Sequence, residues 1–232
     1  MKTLPCPVDG ILIHGPDTPS FEEALVAVLG RAPRELLSPA LPYSVIVENQ
    51  AERTVAFLGV RFDMVSPRAK QYSVVHYADA LRNPDKAELT PGAKRFVCAE
   101  PEYTSLVLRG DVAPQTRGRM NLENLRKMLQ VKGSVDCIAF ADGQFAGPDS
   151  QNAFDRLTAD RVTEEALMGE MEILGKAPES AIETMLFQAV QDPDNRARRS
   201  AARKLLEAYE AGGRTEALCR ARNFRFRVAL WR

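Results

Sequence analysis

Residues 43–65 read Tyr-Ser-Val-Ile-Val-Glu-Asn-Gln-Ala-Glu-Arg-Thr-Val-Ala-Phe-Leu-Gly-Val-Arg-Phe-Asp-Met-Val. Their hydrophobic period is two. Tyr43, Val45 and Val47 alternate with Ser44 and Glu48, and Leu58, Val60, Phe62 and Met64 form one face of a longer run with Arg61 and Asp63 opposite. That pattern predicts two half-buried strands, and the polar stretch 49–53 between them predicts a hairpin. Further β-rich runs lie at 71–78, 94–99, 103–109 and 135–141, divided by the turn signals Asn83-Pro84, Pro91-Gly92 and Asp142-Gly143. Short strands between such turns predict an antiparallel sandwich. Asp142-Gly143 predicts a hairpin with a type I′ turn.

Outward from this centre the period changes to 3.6. Ser20-Phe-Glu-Glu23 is a capping-box pattern, and Phe21, Leu25, Val28 and Leu29 share one helical face over 20–30. Prolines at 33, 39 and 42 mark a connection. Leu122, Leu125, Met128 and Leu129 predict a helix over 121–129, inserted before the last hairpin, and the polar stretch 111–120 predicts a mobile loop. Beyond Pro148, helix formers fill 150–174, and apolar stripes follow from Ile182 to Val190 and from Ala202 to Tyr209, ahead of Gly212-Gly213. Residues 215–232 fit a helical seam and also alternate as a strand would; their composition favours helix. The expectation is an α+β chain: an antiparallel immunoglobulin-like β-sandwich with an N-terminal helix and a C-terminal helical bundle. It divides as an arm with a short helix (1–42), a sandwich (43–149) and a helical region (150–232).

Three stretches carry a resemblance. VIVENQAERTVAFLGVRFD (45–63) resembles the opening hairpin of immunoglobulin-like and fibronectin-like modules, and LTPGAKRFV (89–97) is similar to the Pro-Gly turn that starts a middle strand in them. SVDCIAFADGQFAGPD (134–149) looks like a closing hairpin leading into helices, as in some bacterial proteins. The resemblance implies a sandwich and brings no catalytic residues. The sequence departs from the antibody Cys–Trp–Cys signature, since its only tryptophan is Trp231.

At 232 residues and 45% hydrophobic, the chain can bury a core without staples, so Cys6, Cys98, Cys137 and Cys219 are expected as free thiols, with a Cys98–Cys137 bridge as the alternative. Thirty-one basic residues balance thirty-one acidic ones, which argues against a bulk attraction to nucleic acid or anionic membrane. The balance is uneven: residues 1–150 carry net −1, 151–194 net −7 and 195–232 net +8. The start has only a three-residue apolar run and no stretch is long enough to span a bilayer, so the chain reads as cytoplasmic; with a removed leader it would be extracytoplasmic.

No phosphate-binding loop, G-x-S-x-G or H-E-x-x-H pattern occurs, and His14 and His76 are the only histidines. No cofactor or metal is therefore expected. His76 reads as a hydrogen-bonded residue on a strand. The leading expectation is a non-enzymatic protein-binding module with an unknown protein partner. The alternative is a small-ligand binder or enzyme with a loop-built site from His14, Asp17, Arg117 and Arg119. A second alternative is nucleic-acid binding through the arginine-rich tail, with Arg222, Arg225 and Arg227 interleaved with Phe224 and Phe226.

Overall fold

Both strands expected within 43–65 form, as β3 (Ser44–Asn49) and β4 (Val55–Val65), yet they belong to different sheets. The reason lies in the polar stretch between them. Asn49 is fully buried; its side-chain amide donates to the carbonyls of Arg53 and Leu89, each at 2.8 Å, and its Oδ1 accepts from Ala51 N–H. Those bonds make a corner that carries the chain from one sheet to the other, where a hairpin would have turned it back.

The computed structural model describes residues 1–30, 34–80, 88–108 and 117–229. Two compact units result, Met1–Gln151 and Asn152–Arg232. In the first, strands β1 (Lys2–Thr3), β7 (Gln130–Phe140), β4 and β5 (Gln71–Asp79) form one sheet in that order, and β8 (Phe145–Ala146) also pairs with β7. Strands β2 (Ile11–His14), β3 and β6 (Lys94–Cys98) form the other, with helices α1 (Phe21–Leu29) and α2 (Arg34–Leu37) between β2 and β3 in the chain. The first 42 residues thus supply an edge strand to each sheet; β1 runs parallel to β7, and every other pair is antiparallel.

The inward positions of both sheets, among them Val45 and Val47 of one and Val60, Phe62 and Ile138 of the other, meet in one apolar cluster. At Gly133 the sheets come so close that an added Cβ would lie 2.9 Å from a Val45 methyl. The chain is therefore mixed α+β with two sheets around one core. An immunoglobulin-like connectivity is not confirmed by this pairing.

Several local expectations change. The run 103–109 was expected as a strand, but Pro101–Leu108 is a helix, α3, since Pro101 suits the first helical position and the Thr104 hydroxyl bonds back to the carbonyls of Glu100 and Pro101. The inserted helix α4 starts earlier than expected, at Arg117–Arg126, so only 111–116 of the expected loop remain, outside the described residues. The 142–143 hairpin forms, but positive φ occurs at Gly143 alone. With Gly143 N–H bonded to Phe140 and Phe140 N–H to Gln144, it is a three-residue loop closed by a left-handed glycine, not a type I′ turn. Between Gly59 and Val60 the pairing with β7 slips by one residue, so Asp136 bulges out.

The second unit holds α5 (Ala153–Ile173), α6 (Glu179–Gln191) and α7 (Arg196–Ala229), the last broken at Gly212-Gly213, where Gly213 has φ +66°. Leu167, Met171, Ile182, Leu186, Leu205 and Ala221 form its core. Through Ala229 the ambiguous tail is helical.

Candidate functional site

Strand β5 ends one sheet and β6 ends the other. Between these edges the two layers part into a cavity of about 390 Å³, which α3 borders with Pro101 and Thr104. Leu58, Val60, Ala78 and Val97 give it an apolar wall. Two basic side chains enter the same wall, His76 and Arg95.

Their placement follows from register. His76 pairs with Val60 and Arg95 with Val47, and both partners belong to the shared core, so both basic groups occupy inward positions. His76 lies 3.1 Å through Nε2 from the Ala99 carbonyl, a contact in which the ring nitrogen donates, and its ring tilts against Phe62 with centroids 5.7 Å apart. Burial holds the imidazole below its usual value, against the opposing pull of that carbonyl, so His76 is neutral at pH 7 with the proton on Nε2. Burial likewise lowers Arg95 from the ordinary guanidinium range, and a guanidinium stays charged even so. An apolar cavity holding one poorly hydrated cation and one imidazole acceptor suits a ligand with an apolar body and a single anionic head.

Of the residues expected to form a loop-built site, His14 and Asp17 take different hydrogen-bond partners. His14 is 8% exposed and belongs to a polar rung on the opposite face of β2–β3–β6, with Nδ1 2.7 Å from Ser20 Oγ and Nε2 2.9 Å from Glu48 Oε2. Asp17 turns away from it to Thr3, accepting from the backbone N–H at 2.9 Å and from the hydroxyl. Burial works to raise the Asp17 carboxyl, and these bonds outweigh it and hold it below the usual carboxylate range. Arg117 and Arg119 fall in helix α4, where their side chains lie outside the described residues.

In the second unit Arg222 is exposed on α7, and Arg225 and Arg227 are in the same helix with side chains beyond the described set. Other arginines of the basic tail have internal work. Arg198 grips both carboxylate oxygens of Glu170 on α5, Arg199 donates to the carbonyls of Asp192 and Pro193, and Arg214 donates to those of Gly175 and Ala177. The acidic and basic segments are thus partly spent on each other.

All four cysteines are free, so the Cys98–Cys137 bridge is not made. Burial pushes the Cys98 thiol up to about 11, which leaves it a core side chain rather than a nucleophile. Among the described residues one group could hold a metal: Asp136, at the β7 bulge, lies with Cys137 and Asp149 so that their ligand atoms are all within 4.8 Å of one another. Asp136 Oδ1 accepts from Ser150 N–H, and its other oxygen is buried without a partner. Among the described residues no helix is long and apolar enough to cross a membrane.

His76 was visible to sequence reasoning as a hydrogen-bonded residue on a strand, whereas Arg95 was not singled out. Its signal was an arginine at the inward position of a KRFV strand, next to Lys94 pointing the other way. Compared with known proteins, the chain matches no family model, no curated protein and no solved structure.

Proposed function

We propose that the β-rich unit binds a small organic acid between its two sheets, with the carboxylate on Arg95 and the apolar body against Leu58, Val60 and Val97. The observation that carries this reading is the pairing of a roughly 390 Å³ apolar cavity with an inward, partly desolvated guanidinium. An arginine offers a carboxylate a planar bidentate fork, which sets the orientation of the acid head against the apolar wall. His76 Nδ1 supplies a second polar contact for a ligand hydroxyl or for a shared proton.

The test is a thermal-shift titration with a medium-chain fatty carboxylate, an aryl carboxylate and the alcohol matching each. At about one hundred times Kd a native-state ligand adds about 2.7 kcal/mol, so the acids raise Tm, the alcohols do not, and Arg95→Met removes the effect. Equal shifts for acid and alcohol, or an undiminished shift in Arg95→Met, overturn the reading.

A second reading, a protein-binding module, is supported by β5. Among the described residues this nine-residue strand has β4 as its one neighbour, contains no proline or lysine, and exposes Tyr72, Val74 and Tyr77. Such an edge is a template for an added strand from an extended partner segment. Protein-partner capture that survives Val74→Lys would remove it.

A further inference from the structure

Ser20 breaks a local rule. It stands at the N-cap of α1 (Phe21–Leu29) with Glu23 three residues on, the pattern in which a serine hydroxyl accepts from the N3 amide, yet it makes no side-chain cap bond. Its hydroxyl bonds His14 instead. The helix gives up a cap worth about 1 kcal/mol to place a serine on an imidazole.

The imidazole is in turn oriented from behind. His14 pairs with Ile46 and Leu12 with Glu48, so His14 and Glu48 share a face of the sheet and meet diagonally, and Lys94, opposite Glu48 on β6, completes the rung. Lys94 Nζ lies 2.6 Å from Glu48 Oε1, and Gln50 donates to the same oxygen at 3.2 Å. Burial works to raise the Glu48 carboxyl; the hydrogen bonds from Lys94, Gln50 and His14, with the Lys94 charge, outweigh it and hold the group below its usual range. Glu48 is therefore ionised at neutral pH and can only accept. That assigns the ring proton to Nε2 and leaves the Nδ1 lone pair to receive the Ser20 hydroxyl proton.

Only the serine of the three is open to solvent. Ser20 is exposed, His14 is buried and Glu48 is half-buried behind it. Phe21 N–H bonds Thr18 and Ala24 N–H bonds Ser20, while the Glu23 amide, the usual partner of a capping hydroxyl, has no acceptor within the helix. It is a first-turn donor at the positive end of α1, an end that favours negative charge.

We propose that Ser20, His14 and Glu48 form a nucleophile, general base and positioning carboxylate for hydrolysis of esters, a second site separate from the cavity between the sheets. Ser20 Oγ bonds to the acyl carbon as its proton passes to His14 Nδ1. Collapse of the adduct breaks the bond to the leaving alcohol, which takes that proton. Water then attacks the acyl-serine, gives its proton to His14, and Ser20 recovers it as the acid leaves. The sum is ester plus water to acid plus alcohol, with no oxidant or reductant. Asp17, Glu22 and Glu23 lie within three residues of Ser20 in the sequence, and their negative charge disfavours anionic acyl groups.

The full chain is treated with a fluorophosphonate probe, adducts are mapped by mass spectrometry, and hydrolysis of p-nitrophenyl acetate is followed in parallel. The expected result is one adduct, on Ser20, with both signals absent in Ser20→Ala. His14→Gln slows labelling by about a hundredfold or more, the scale of a lost general base. Glu48→Gln slows it less and shifts its pH profile, which a purely structural role would not do. Each variant is melted alongside, so that a lost fold is told from a lost base. No adduct on the folded wild type, adducts spread over several serines, or wild-type labelling of a folded His14→Gln overturns the proposal.

Discussion

The two histidines of this chain sit on opposite faces of its sheets and are treated in opposite ways. His14 has both ring nitrogens engaged, one by Ser20 and one by Glu48, and Lys94 and Gln50 close the network. Among the described residues His76 bonds the Ala99 carbonyl, and it lines the apolar cavity together with Arg95. A polar network whose members satisfy one another fixes geometry and proton position. The cavity instead sets a neutral imidazole and a guanidinium whose charged form burial disfavours into one apolar wall. The first arrangement is suited to moving a proton, the second to holding a ligand.

The largest difference should appear on removing one member from each. Glu48→Ala strips His14 Nε2 and Lys94 of their shared acceptor in a sheltered position, and should cost about 2 kcal/mol in urea unfolding. His76→Leu trades one bond for a side chain that suits the cavity wall, and should stay within about 1 kcal/mol of wild type at pH 7.5. Equal losses for the two variants would show that both histidines are held by equivalent networks.

This comparison could not be drawn from the sequence, although much of the frame could. The period-two faces of β4 and β5, the helices of the second unit and the 142–143 hairpin were legible because side-chain alternation and turn chemistry are local. The sheet assignment of β3 and β4 was not, because it depends on Asn49 bonding to Leu89, forty residues away. His14 was singled out with Asp17 on sequence proximity, yet its real partner is Glu48, thirty-four residues on and supplied by strand register. Ser20 was read as a cap, since nothing local says that its hydroxyl is taken elsewhere. Residues 103–108 favoured strand by propensity, and Pro101 with the Thr104 back-bonds decided for helix.

A smaller effect separates the two sites by pH. The folded-state value of His76 lies below its unfolded value of about 6.5. The unfolded chain therefore binds the proton more readily, and the stability that neutral His76 contributes is present above about pH 6.5 and lost as pH falls toward its folded value. His76→Leu lacks that loss. Its stability relative to wild type should rise between pH 7.5 and 5.5, by no more than about 1.4 kcal/mol per pH unit. Glu48 is also lowered, and its own contribution is present above about pH 4.3 and falls only as pH drops further, so Glu48→Gln should flatten the acid limb below that pH. Urea curves at four pH values test both, and parallel curves for His76→Leu and wild type would remove the buried-imidazole account of the cavity.

The smallest effect is the most specific to the rung. A serine that caps a helix costs about 1 kcal/mol when replaced by alanine, because a first-turn amide loses its acceptor. Ser20 makes no such bond, so Ser20→Ala removes only its contact with His14, at an exposed end where water can replace the hydroxyl. The expected cost is about 0.5 kcal/mol. Ser20→Gly should differ from it by helix propensity and backbone entropy alone, since neither variant has a cap to lose. If Ser20→Ala instead costs the full value of a cap, the hydroxyl spends its time on the Glu23 amide in solution, and the pull of His14 is too weak to hold a nucleophile in place.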